Sequence, residues 1–214
     1  MAPYTDLTMI RYAITSRAFH PGTEQEKQAA LLAEASRWIV EGIDFIQLRE
    51  KDLPAAEQVH LARKITEAIA LSSNPTKLLI NSRPDIALAT GAHGVHLTSS
   101  PGELRPAHVR TLYADADHEP PLITISCHTL AEVQLASQNK VHAILFSPVF
   151  EKPLLDSSPL PGQGLGQLKA ACSFASPTPV YALGGVTLQN ASSCLAVGAA
   201  GIAGIRLFQS VTAK

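Results

Sequence analysis

Two rhythms of apolar and polar residues take turns along this chain. Short, nearly continuous runs of aliphatic and β-branched residues predict buried strands. Longer stretches with an apolar residue every three or four positions predict helices packed on one face. The first run, 9–15, reads MIRYAIT and predicts a strand. A helix follows over 24–40, with Leu31, Leu32, Ala35, Trp38 and Ile39 on its apolar face, and Gly42 stops it. The next strand begins at Asp44, and Pro54 opens a second helix striped by Val59, Leu61, Ile65 and Ile69. The order then repeats, with strands predicted at 77–81, 94–97, 122–126, 141–146, 180–183 and 201–205. Helical segments are predicted from Pro84, within 101–114, after Thr129, after 166, over 188–197 and from Arg206 onward. Thr129 and Glu132 have capping-box spacing. The stretch 147–166, broken by prolines and glycines, predicts a long loop of the kind that serves as a lid or binding segment.

About eight strands, each followed by a helical segment, define an α/β chain folded as a single-domain (β/α)8 TIM barrel over 1–214. An open doubly wound sheet competes, but its three-glycine dinucleotide fingerprint is absent after the first strand. The 214 residues suit one such barrel, and no linker or shift in composition marks a second domain. A hydrophobic content of 46% supports a large core, and a net charge of -1 advertises no basic face for nucleic acid or anionic lipid. The start lacks the layout of a signal peptide, and 195–205 is too short to cross a bilayer, so a cytoplasmic location is expected. Cys127, Cys172 and Cys194 show no metal-ligand spacing and read as buried thiols.

The chemistry concentrates at strand ends. The segment 44–52, DFIQLREKD, begins as a buried strand and ends in Arg49, Glu50 and Lys51, with Gln47 beside them. A solvated loop explains such a charged end; so does an active site, since parallel strands deliver their catalytic groups there. Gly184 and Gly185 follow the seventh strand, where barrels of this kind often hold phosphate, though a tight turn has the same signature. Arg206, just past the last strand, would oppose the dipole of a helix starting there, which favours an anion beside it. His128 ends the fifth strand and His96 lies within the fourth, two imidazoles suited either to proton transfer or to a structural role.

Taken together, QLREK (47–51), INSRPDIAL (80–88), GVHL (94–97), SCHTLAEV (126–133), PVF (148–150), GQG (162–164), ALGGV (182–186) and GAAGIAGI (198–205) resemble the thiamine-phosphate synthase/TenI superfamily. The resemblance covers nearly the whole chain and implies a (β/α)8 barrel that binds a thiazole phosphate or thiamine phosphate, often as a homodimer. Its synthases join an aminopyrimidine pyrophosphate to a thiazole phosphate, and the released pyrophosphate is held by magnesium. That pattern expects an aspartate after Asn81 and another a few residues after GVHL, where this chain has Ser82 and Pro101. It also expects threonines and a lysine after PVF, where Glu151, Lys152, Pro153 and Leu154 stand. Glu50 or Glu103 would have to replace the missing metal carboxylates.

TenI-type members also lack those aspartates and keep a histidine aligned with His128. The resemblance to them is the closer one and implies a metal-independent proton shift that aromatises a thiazole carboxylate phosphate tautomer. His128 is then the catalytic residue. Gln47, Arg49, Lys51, Asn81, His96, Gly164, Gly184, Gly185, Ile205 and Arg206 are expected to bind substrate, with no protein-held metal and no cofactor. The alternatives are the synthase, with magnesium, and a non-catalytic or regulatory barrel that only binds a thiamine-related phosphate.

Overall fold

A computed structural model describes residues 9–100, 102–151 and 161–209. Eight parallel strands close into a barrel in sequence order: β1 Ile10–Ile14, β2 Phe45–Leu48, β3 Lys77–Asn81, β4 Gly94–Thr98, β5 Leu122–Cys127, β6 Ala143–Phe146, β7 Val180–Ala182 and β8 Gly201–Gly204. Helices α1 Glu24–Val40, α2 Ala55–Ala70, α3 Pro84–Thr90, α4 Pro106–Asp115, α5 Leu130–Gln138, α6 Gly164–Ala175 and α7 Ala191–Ala196 wrap it outside.

Strand side chains alternate between two cores, as the two-residue period requires. Ile46, Leu48, Leu78, Ile80, Val95 and Leu97 face outward into the helix layer with Leu31, Trp38, Leu61 and Ile65. Tyr12, Ile14, Leu79, Leu145, Tyr181 and Ala203 face inward. Rings fill the lower interior: Tyr12 stacks on Phe45 with centroids 5.6 Å apart, and Tyr181 lies 6.2 Å from both. Gly94 is needed in β4 because any Cβ there would sit 1.9 Å from the Leu122 carbonyl oxygen of β5.

Helix starts follow the expected capping chemistry. Thr129 and Glu132 form the capping box of α5, and Thr23 with Glu26 forms another at α1. Pro84 and Pro106 occupy first-turn positions of α3 and α4. The structure departs from expectation near the C-terminus. Residues 206–209 form a turn rather than a helix, and the remainder of that predicted helix lies outside the described residues. Tertiary contacts win there: the Phe208 carbonyl accepts from Trp38 Nε1 at 2.7 Å and also from Arg37 Nη2 of α1. The helix predicted over 188–197 is shorter at its start, where Thr187 and Asn190 exchange side-chain to backbone bonds instead. α6 begins at Gly164, inside the segment predicted as loop. Among the described residues no helix is long and apolar enough to cross a membrane.

Candidate active site at the barrel mouth

The inward positions of β2 to β5 turn polar toward the C-terminal end of the barrel. Gln47 donates from Nε2 to Asn81 Oδ1 at 2.8 Å, and its own Oε1 is buried without a donor. A buried acceptor left unpaired costs roughly 1–3 kcal/mol, so it marks a place where a ligand donor fits. His96 follows in the same arc. Its Nδ1 lies 2.8 Å from Thr124 Oγ1 and 3.3 Å from the Tyr12 hydroxyl, which is itself 3.1 Å from Thr124. Its Nε2 lies 2.9 Å from Ser126 Oγ.

Counting hydrogens decides the tautomer. With Nδ1 as acceptor, Tyr12 donates to Thr124 and Thr124 to His96, and both hydroxyl hydrogens are placed. With hydrogen on Nδ1, one buried hydroxyl has no acceptor within this cluster. Nε2 therefore carries the hydrogen and donates to Ser126, which leaves the Ser126 O–H free to donate in turn. Burial first, and then the charge of Arg49, push the His96 pKa down to about 3, so the imidazole is neutral. Burial likewise drives the Tyr12 hydroxyl well above its usual range. His96, expected to bind substrate, thus has both ring nitrogens engaged by protein hydroxyls and reaches the mouth through Ser126.

Arg49 is half-buried, and its side chain has no carboxylate partner among the described residues. Its charge is close enough to help hold the His96 imidazole neutral. Lys51 is exposed and equally unpaired among those residues. Glu50 behaves oppositely: it accepts from Thr15 Oγ1 at 2.7 Å, from the Arg17 backbone N–H, and from Arg17 Nη1 at 3.0 Å.

Across the mouth, His128 is exposed and donates from Nδ1 to the Ser147 carbonyl at 2.7 Å, and its Nε2 has no partner among the described residues. Gln163 donates to the same carbonyl at 3.0 Å. The segment after β6 lies against β7: Val149 N–H donates to the Leu183 carbonyl, and Phe150 N–H to that of Gly184. Gly184 and Gly185 have φ of +88° and +63°, and Cβ atoms there would fall 2.7 Å from Pro148 and 2.6 Å from the Glu151 carbonyl oxygen. Only glycine fits this turn. The N–H groups of Gly184, Gly185 and Ile205 find no acceptor among the described residues, as an anion cradle requires. The Gly164 N–H, by contrast, is used by the Val149 carbonyl. Arg206 is exposed, with its guanidinium 4.9 Å above the Phe19 ring, at the end of β8 as expected but not at a helix start.

The described residues do not by themselves make a site for a protein-held magnesium. Among the described residues no three acidic, His or Cys side chains gather to hold a metal. Glu50 is ruled out as a substitute ligand because Thr15 and Arg17 occupy it, and Glu103 is exposed in the turn after β4. Pro101 and 152–160, where the pattern expects an aspartate and the pyrophosphate grip, lie outside the described residues.

Sequence reasoning passed over Ser126 as a functional group, although Thr124 and Ser126 alternate on the inward face of β5 as a two-residue period predicts. It also passed over Tyr12, Arg17 and Gln163. Nothing local announces these, since their partners are 84, 33 and 16 residues away.

A closed parallel barrel with free backbone donors after β7 and β8, and unneutralised cations after β2, has the arrangement that phosphate sites in (β/α)8 enzymes frequently use. The family model described as thiamine monophosphate synthase matches residues 12–208. The chain belongs to that family. A Geobacter sulfurreducens protein with the provisional name thiamine-phosphate synthase is 37% identical over 195 residues, 90% of this chain and 83% of that protein. The thiamine-phosphate synthase of Caldanaerobacter subterraneus is 32% identical over 182 residues, 84% of this chain and 76% of its own. Among solved structures, thiamine phosphate pyrophosphorylase from Pyrococcus furiosus shares the fold, with a TM-score of 0.74, 23% identity, and coverage of 92% of this chain and 86% of that one.

Proposed function

We propose that the barrel mouth joins an aminopyrimidine pyrophosphate to a thiazole phosphate and releases pyrophosphate. This reverses the order of the two readings drawn from sequence alone. The observation that carries it is the buried, unpaired Gln47 Oε1 beside the uncompensated Arg49. An amino group on a pyrimidine supplies the donor that Gln47 lacks. Pyrophosphate gains negative charge as its bond to carbon breaks, and Arg49 and Lys51 stand ready to stabilise it. The free N–H groups of Gly184, Gly185 and Ile205 suit the second phosphate, on the thiazole. Relatives named as synthases support the same order of preference.

Incubation with both substrates and magnesium is expected to yield thiamine phosphate and pyrophosphate. Gln47→Leu is expected to lower kcat/KM by about 10–100-fold, the worth of a lost hydrogen bond at a buried site. If the protein forms no thiamine phosphate, the proposal fails.

One observation favours the proton-shift reading as the second choice. His128 is held in one tautomer by the Ser147 carbonyl, with Nε2 free as a base. On that reading the protein aromatises the thiazole tautomer without the pyrimidine substrate, and His128→Asn lowers kcat by about 10²–10⁴-fold. An unchanged kcat in that variant removes His128 from the chemistry.

A further inference from the structure

Charges alternate along Arg49, Glu50, Lys51 and Asp52, and a local pairing of these four would cancel them. The fold prevents this. Arg17, in the short turn Arg17–Phe19 after β1, has a side chain 9% exposed and holds three carboxylates. Its Nη1 donates to Glu50 at 3.0 Å and to Asp52 at 2.8 Å, its Nη2 donates to Asp52 at 2.6 Å, and its Nε donates to Glu24. The acids of the segment are thereby drawn to the seam between β1, β2 and α1. Glu50 also fixes the backbone of its cationic neighbour: Arg49 N–H donates to Thr15 Oγ1 at 2.9 Å, and Thr15 donates to Glu50.

We propose that Arg17 is a positioning residue that sorts these charges, taking up Glu50 and Asp52 so that Arg49 and Lys51 reach the mouth unneutralised. The inference rests on the reading of Arg49 as an anion-binding group. Without Arg17, the Glu50 carboxylate, only 3% exposed, loses its cation in a medium that disfavours an unpaired charge. Arg49, the residue just before it in the chain, is an unpaired substitute. Arg49 recruited to Glu50 no longer serves a ligand.

The test is calorimetric titration of inorganic pyrophosphate into the wild type, R17M, R49M and R17M/E50Q, with thermal unfolding of each. R17M is expected to bind about 10-fold more weakly, with KM for the pyrophosphate substrate raised to match and kcat within about twofold. R17M/E50Q, which removes the stranded carboxylate, is expected to regain most of the affinity without regaining a cation at position 17. A purely structural Arg17 would not show that rescue. R17K, which keeps the charge but loses the planar fork, covers the case in which R17M does not fold, and is expected to lie between R17M and wild type. Wild-type affinity in R17M and R17K, or equal weakness in R17M and R17M/E50Q, overturns the proposal while leaving Arg49 as the anion site. Wild-type affinity in R49M removes the anion site itself, and the sorting role with it.

Discussion

Single hydrogens govern much of what this site can do. His96 would be a pH-responsive acid in water, yet here it is a fixed donor, because Tyr12 and Thr124 fill its Nδ1 and leave only Nε2 for Ser126. Nitrogen NMR of histidine-labelled protein is expected to show a pyridine-like Nδ1 and a protonated Nε2 for His96, unchanged across neutral pH. A protonated Nδ1 would reverse the polarity assigned to Ser126. The sequence showed that 96 and 128 were the histidines to watch, since both sit on strands or strand ends. It did not show that the first is locked and the second open. That difference comes from Thr124, Tyr12 and Ser147, which lie far away in the chain and carry no motif of their own.

Elements of this barrel are tied by a repeated device at the N-terminal end of the sheet. His93, just before β4, accepts the Leu78 N–H at 3.1 Å; His142, just before β6, accepts the Ile123 N–H at 3.0 Å. Each Nδ1 must stay unprotonated to do so. Burial is the main cause that lowers both values, aided by Lys77 and Arg110 respectively. With folded values below unfolded ones, these histidines and His96 give stability that is complete above about pH 6.5, the ordinary histidine value. It is lost as pH falls from there, down to about 3 for His96. Asp52, held at about 2 by its bonds to Arg17, extends the loss below pH 4. Thermal midpoints are therefore expected to be flat near neutrality and to fall steadily on acidification, with a shallower fall in the H93Q/H142Q variant. Equal slopes would discount the two ties. Strands and most helices were legible because both faces of a parallel strand are apolar and helices keep their own period. The turn over 206–209 was not, because its Phe208 carbonyl is held by Trp38 and Arg37 on another element.

At the scale of the whole molecule, the outer core sets stability and the inner one sets chemistry. Trp38, 1% exposed, packs in the helix layer and pins the Phe208 carbonyl. Trp38→Ala is expected to cost about 3–5 kcal/mol in urea unfolding. Pyrophosphate affinity should persist in whatever fraction stays folded, since the Trp38 hydrogen bond goes to Phe208 and not to Arg49 or Lys51. The inner wall is divided: Gln47, Asn81, His96, Thr124 and Ser126 line the β2–β5 side, while Ile14, Leu145, Leu183 and Ile205 line the other. A flat heteroaromatic ring is suited to such a wall, with its edge read on one side and its face covered on the other.

The stacked rings of Tyr12, Phe45 and Tyr181 have one more consequence. They stopper the barrel below the polar arc, so it is a cul-de-sac with a single doorway. Whatever is consumed and whatever is made must cross the same threshold, and the molecule seated deepest leaves last. In such a vessel, a ligand that lingers at the entrance shuts out the next one.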